Sequence, residues 1–290
     1  MPTHSTFTDL THLGLIQISG AAAKTFLQGQ LTCNLDEISS AQSRLGAHCN
    51  PQGRVISLFH LFFWQQNYYL QLPRELIPIA IKALQKYAVF FKVSLSDVSD
   101  ELQQVGYQGT ELTSSPKETD EQITTPEFVI IKPLGEPTRY QIIGHKTAIA
   151  SLNLSAEPGT IQQWKRLDIK NKLPAIYPET TEKFLPHEIN LPELNAVSFQ
   201  KGCYTGQEII ARMQYRGKLK SRLYQAHVKT PMAIIRGNDI YFEGERSGSI
   251  VDYAQIDYNV YELLIIAKDS DIQAAALSID PEKKYILELS

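Results

Sequence analysis

KGCYTGQE, running from Lys201 to Glu208, sets a cysteine two positions ahead of a helix-start signal. Thr205 and Glu208 have the spacing of a capping box, in which the hydroxyl accepts from a backbone N–H three residues on and the carboxylate reaches back to the cap. The spacing predicts a helix from near Gly206, with Ile209, Ile210 and Met213 turned to the core. Cys203 then falls in the turn where unpaired N–H groups gather positive potential. A helix N-terminus and a nearby cation both favour the thiolate, so Cys203 is the candidate functional thiol and Lys201 its activating neighbour, with a lowered thiol pKa expected. The plain alternative is a buried apolar cysteine, which is what most lone cysteines are.

Working outward, 290 residues with 43% apolar content suffice for two or three modest cores, so a multidomain globular protein is expected. A formal net charge of −3 gives no overall attraction to nucleic acid or membrane. Three cysteines, Cys33, Cys49 and Cys203, form neither an even-numbered scaffold nor a CxxC pair, which points to reduced thiols and a cytoplasmic protein. Met1 to Leu10 lacks the charged-then-apolar pattern of a leader, and no stretch is long enough to span a bilayer. No zinc spacing is present, so no metal site is expected.

Ile16 to Ile18 reads as a strand, followed by a helix that Ser19 caps and that runs to about Leu27. Val55 to Trp64 and Tyr68 to Leu72 read as a hairpin, Arg74 to about Tyr87 as a helix with Pro78 near its first turn, and Val89 to Leu95 and Leu102 to Gln108 as strands. That order suits an antiparallel sheet with helices on one face, an α+β fold. Thr110 to Glu127 is polar and aperiodic, a surface loop or linker. Strands resume at Phe128 to Ile131 and Tyr140 to Ile143, and Thr160 with Gln163 starts a helix carrying Trp164, Leu167 and Asp168. After about Leu223, short β-rich runs at Ile234–Ile235, Asp239–Phe242, Ser249–Tyr253, Tyr261–Ala267 and Tyr285–Leu289 predict a small barrel. From Arg216, the charges Lys218, Lys220 and Arg222 alternate with Gly217, Leu219, Ser221 and Leu223, the period of a strand face. Such a strip suits folate carboxylates or an anionic partner such as RNA, or is simply a solvated face.

KGCYTGQE closely resembles the signature of the YgfZ family, folate-binding proteins that assist tRNA modification and are related to the glycine-cleavage aminomethyltransferase. LQGQLTC (Leu27–Cys33), GAHCNPQGR (Gly46–Arg54), KYAVF (Lys86–Phe90), QQW (Gln162–Trp164) and FLPHEINL (Phe184–Leu191) resemble it too, in the same order. The resemblance implies a ring-like, multidomain aminomethyltransferase-type fold with ferredoxin-like α+β units. Residues 1–222 would form the folate-binding region, its core interrupted by a second unit at roughly 50–110, and 223–290 the C-terminal β-barrel. It implies tetrahydrofolate or a one-carbon derivative in a central cleft, with Trp164, Tyr204, Gln207 and Arg216 as candidate contacts. A second folate-linked tryptophan of the family is replaced by an aliphatic at about Leu13. Plain core packing is the alternative for Trp164, since Ile161, Trp164 and Leu167 share a helical face.

Two departures bear on chemistry. Lys170 stands where the aminomethyltransferase has a pterin-binding glutamate, with Lys172 where glycine is usual, and a lysine only donates. Ser57 and Leu58 stand where the transferase has acidic residues, including its catalytic aspartate. The resemblance therefore implies a folate-binding accessory protein in iron–sulfur cluster assembly or repair, with Cys203 at its centre. Its partners would be iron–sulfur enzymes such as a tRNA methylthiotransferase. The alternatives are a one-carbon (aminomethyl) transferase and a direct tRNA-binding module.

Overall fold

Gln65 and Gln66 both take left-handed backbone conformations, with φ of 48° and 63°, and they join strands β4 (Val55–Trp64) and β5 (Asn67–Pro73) into the expected hairpin. A two-residue connection with positive φ at both positions matches the right-handed twist of the strands. In this computed structural model, which describes residues 5–110, 112, 115–136, 138–273 and 276–290, the hairpin is the centre of a five-stranded antiparallel sheet. Its order is β3 (Arg44–Cys49), β4, β5, β2 (Leu13–Ser19) and β6 (Ser94–Asp97). Helices α1 (Ala23–Gln30) and α2 (Ile77–Ala88) accompany it, and Ile16, Ile18, Phe26, Leu27, Leu70 and Leu84 are buried in the core they share. Residues 1–4 of the region read for a leader, and 111, 113 and 114 of the polar segment, lie outside the described residues.

Three local expectations change. Ser19 does not cap α1, because Gly20 turns the chain at φ 125° and the helix starts only at Ala23 without a side-chain cap. Val89 to Leu95 is not one strand: a short helical turn, Val89–Phe91, ends in a left-handed Lys92 at φ 52°, and pairing begins at Ser94. The polar segment also carries a short strand, β8 (Gln122–Thr124).

A second, six-stranded sheet has the order β11 (Glu157–Pro158), β1 (Thr6–Asp9), β7 (Gln103–Gln108), β10 (Arg139–Gly144), β9 (Phe128–Ile131) and β8. Only β1 and β11 run parallel. The unit expected at roughly 50–110 therefore has other limits. The first sheet draws its strands from β2 to β6, and β7 belongs to the second, where Phe7 faces Tyr107 across the register. Strand partners are chosen by long-range burial, which local composition does not encode. A short helix α3 (Lys146–Ser151) follows β10, and α4 (Ile161–Lys170) begins at the predicted capping box: Thr160 Oγ1 accepts from Gln163 N and Gln163 Oε1 from Thr160 N.

The third sheet follows α5 (Gln207–Arg216). It comprises β12 (Ser221–Lys229), β13 (Asp239–Phe242), β14 (Glu245–Asp257), β15 (Val260–Lys268), β16 (Leu277–Ser278) and β17 (Glu288–Leu289). The segment 285–289 closes it: Leu289 pairs with Ala226 of β12, while Ile286 bridges Ser278 and Leu287 N donates to Leu277 O. The closed barrel holds Val228, Ile240, Leu263, Ile265 and Leu277 in its core. Ile234–Ile235 is not a strand, and the basic run is not one strand face: Arg216 ends α5, residues 217–220 are irregular, and pairing starts at Ser221.

His48 on β3 is 1% exposed and its Nδ1 has no partner. Burial, with Lys86 nearby, pulls its pKa down to about 4, so the folded state holds it neutral. Between about 6.5 and 4 the unfolded chain binds a proton that the fold refuses, so stability falls as pH falls through that window. We expect denaturant titrations from pH 6.5 to 4 to show this loss, up to about 3 kcal/mol from His48. His48→Asn should flatten the slope.

Candidate functional site

Trp164 occupies the first turn of α4 and is 3% exposed. A Cβ on Gly106 would stand 2.4 Å from its Cε3 atom, so only glycine at that point of β7 lets the indole lie against the strand. The Arg139 guanidinium covers the ring at 3.9 Å and pairs with Asp168 at 2.8 Å. Packing thus fixes the indole, which also lines a cavity of about 260 Å3 between the three sheets. The indole is core packing and cavity lining at once.

Leu13, Leu58, Phe59 and Leu72 of the first sheet form the apolar wall of that cavity. Its polar groups include His12, His60, Gln71, Asp120, Gln141 and Asp168, with Lys165, Tyr177 and Asp252 at one end. Two buried atoms on the lining are unpartnered: Gln141 Oε1, an acceptor, and His12 Nδ1. Burial holds His12 near pKa 4 and therefore neutral at physiological pH. Asp168 is pushed up by burial, with Arg139 pulling the other way. The set offers acceptors and neutral groups around an apolar slot, the character of a small-molecule site at the junction of subdomains.

At one end of the cavity, Lys165 Nζ donates to Asp252 Oδ1 at 2.6 Å and to Tyr177 OH at 2.9 Å. Tyr177 donates to Asp252 Oδ2 at 3.0 Å, and Arg236 Nε donates to Oδ1 at 3.0 Å while its guanidinium lies 3.5 Å over the Tyr177 ring. Burial pushes the Asp252 pKa up, but Lys165 and Arg236 more than offset it, and the carboxyl sits below its usual range. Sequence reading missed this cluster. Its members come from α4, the loop after it, and the barrel, and no local pattern connects them.

KGCYTGQE is elsewhere. Cys203 is exposed, and neither it nor Lys201, Tyr204, Gln207 or Arg216 lines the cavity. Lys201 is turned inward: its ammonium donates to Leu31 O and Cys33 O, both at 2.7 Å, and burial lowers its pKa to about 8. Carbonyls left free at the end of α1 attract it, so it ties that end to the cysteine turn and is not aimed at the thiol. The capping box of Thr205 and Glu208 does not form. Gly206 is the N-cap at φ 85°, where a Cβ would stand 2.6 Å from Asn50 O. Gln207 Oε1 accepts from Tyr204 N, Thr205 Oγ1 meets Gln30, and Glu208 pairs with Arg212. Ile210 is buried, whereas Ile209 and Met213 are only partly so. Tyr204 is buried over Lys201, and Arg216 is exposed. Cys33 and Cys49 are both buried.

Lys170 and Lys172 are exposed and off the cavity. Lys172 holds φ 51°, the conformation that glycine adopts most easily. Two residues earlier than Lys170, Asp168 supplies the carboxylate at the cavity. Among the described residues no group of three or more His, Cys, Asp or Glu is placed to hold a metal, and no helix is long and apolar enough to cross a membrane.

The fold is that of the aminomethyltransferases. It superimposes on the glycine cleavage system aminomethyltransferase T from Bartonella henselae with a TM-score of 0.72, covering 99% of this chain and 84% of that one at 15% identity. In sequence the chain is 34% identical over 226 residues to the tRNA-modifying protein YgfZ of Colwellia psychrerythraea, covering 74% of this chain and 69% of the relative. It is 30% identical over 273 residues to an uncharacterized protein of Haemophilus influenzae, covering 92% and 91%. No protein-family model matches. The chain belongs to the YgfZ family of tRNA-modifying proteins.

Removing one carboxylate from the buried cluster leaves Lys165 and Arg236 without a counter-charge. Asp252→Asn should cost about 3 kcal/mol or more in chemical denaturation.

Proposed function

We propose that the cavity receives the head of a tetrahydrofolate. We further propose that the protein is a folate-dependent accessory factor supporting assembly or repair of iron–sulfur clusters in enzymes that methylthiolate tRNA. The observation that carries the folate reading is the pairing of an apolar slot with acceptors on its lining: Trp164 and Leu13 on its walls, Gln141 Oε1 unpartnered, and Asp168, whose Oδ1 is held by Arg139. A pterin edge presents N–H donors and has apolar faces, and these groups complement both. At about 260 Å3 the cavity suits a ring head with its tail outside, since sites for whole ligands run from about 300 to 1,000 Å3.

When bound, tetrahydrofolate supplies a carrier for one-carbon units. Asp168 accepts from the ring edge, Arg139 holds Asp168 and backs Trp164, and neutral His12 adds a polar contact without charge. Leu58 on the wall, where the transferases carry acid, supplies no proton transfer, and this favours the accessory role over aminomethyl transfer. The exposed Cys203 is then the thiol that meets a partner or its cluster, some way from the folate.

Titration with tetrahydrofolate in a Trp64→Phe background should quench Trp164 fluorescence, because Trp64 is buried against Thr125 and does not line the cavity. Asp168→Asn should weaken binding roughly tenfold, about 1.4 kcal/mol for one charge-assisted hydrogen bond. Unchanged affinity in Trp164→Phe and Asp168→Asn together would refute the site.

Reaction with an aminomethylated carrier protein should stay at background. In cells, Cys203→Ser should leave the fold and folate binding intact while tRNA methylthiolation drops sharply; full complementation by the serine variant would leave Cys203 without a functional role.

A further inference from the structure

The cations nearest the cavity and its ionic cluster are matched with acids: Arg139 with Asp168, Lys165 and Arg236 with Asp252, and Arg166 with Glu262. In a groove on the barrel surface most are not. Two adjoining hollows, of about 470 and 570 Å3, share Lys183 and Arg246 and so form one elongated groove. Arg54, Lys183, Arg246 and Lys268 line it, and among the described residues Arg54, Lys183 and Lys268 form no ion pair. Arg246 is held by Asp239 at 2.7 Å. Glu188, on the groove wall, has its carboxylate engaged by Leu185 N at 2.8 Å. The groove lining also includes the small polar residues Ser221, Ser247 and Ser249, which admit a close approach, beside Gly248, Phe184 and Ile266.

We propose that this groove binds the phosphate backbone of RNA. Several cations without counter-charge along a track match a repeating phosphodiester better than one small anion, which needs donors converging on a point. An acidic protein segment fits less well: of the two aromatics on the groove, Phe184 is already buried and Tyr241, half-buried at one end, is the single anchor it offers. The attraction is local, since the whole chain carries a net charge of −3. Lys218 and Lys220 extend the track from Ser221, which gives the bent basic run a place in the same surface. The groove also reaches the signature string: Arg54 ends the turn that begins at Asn50, and the first turn of α5 packs on that turn through Gly206 and Gly53. Bound RNA would pass beside the element that carries Cys203. This inference does not depend on folate binding.

Fluorescence anisotropy with bulk tRNA, at salt from about 50 to 200 mM, tests it. We expect binding that weakens steeply with salt. The exposed double variant Lys183→Glu/Lys268→Glu should bind at least roughly tenfold more weakly, with the salt slope smaller by about one to two. Lys82→Glu/Lys86→Glu, on α2, should bind as the parent does. Thermal melting and the tetrahydrofolate titration should be unaltered in both variants, which separates failure of the groove from failure of the cavity. Absence of tRNA binding, salt-independent binding, or equal losses in the α2 control would each overturn the proposal.

Discussion

Asp252 is the constraint on which the arrangement depends. It is 3% exposed on a barrel strand, and it accepts from a helix lysine, a loop tyrosine and a barrel arginine together. A lone carboxylate there would be expensive to bury, and so would either cation alone. Held together, the four groups allow only one placement of α4 against the barrel. That placement sets where Trp164 and Asp168, on neighbouring positions of the helix, stand within the cavity. The ionic cluster contributes less as net stability than as register, because an apolar contact of the same size would tolerate sliding.

The cavity and the signature cysteine lie apart. Lys201, which sequence pairs with the thiol, spends its ammonium on carbonyls of the Leu31–Cys33 turn. Its burial makes the turn before α5 a fixed platform, and Tyr204 and Gly206 pack the platform further. Cys203 is presented to solvent from a rigid base. A thiol so placed is suited to meeting a partner, whereas the cavity is suited to holding a small molecule.

The hairpin β4–β5, the capping box at Thr160 and the β-rich C-terminal quarter were legible because each is a local pattern: alternation, a four-residue cap, turns at short intervals. Sheet membership was not, since β2 and β7 are equally good strands and only long-range pairing assigns them to different sheets. Trp164, singled out by its motif, does line the cavity. Lys165, Tyr177, Arg236 and Asp252 were invisible because each is an ordinary residue in its own segment, and their spacing along the chain carries no period. The Thr205–Glu208 pattern misled for a physical reason: a left-handed Gly206 takes the cap position, and the two side chains point elsewhere.

The insertion of one sheet into another has a consequence for synthesis. Thr6 of β1 pairs with Gln108 on one side and Glu157 on the other, while the whole first sheet lies between β1 and its nearer partner. At translation rates of about 5–20 residues per second, β1 waits several seconds for β7 and longer for β11. Meanwhile the inserted sheet can complete its own hydrogen bonds and core. β1 is thus made before every partner it pairs with and is among the last parts settled, an unpaired edge that the ribosome-bound chain must carry without joining a neighbour.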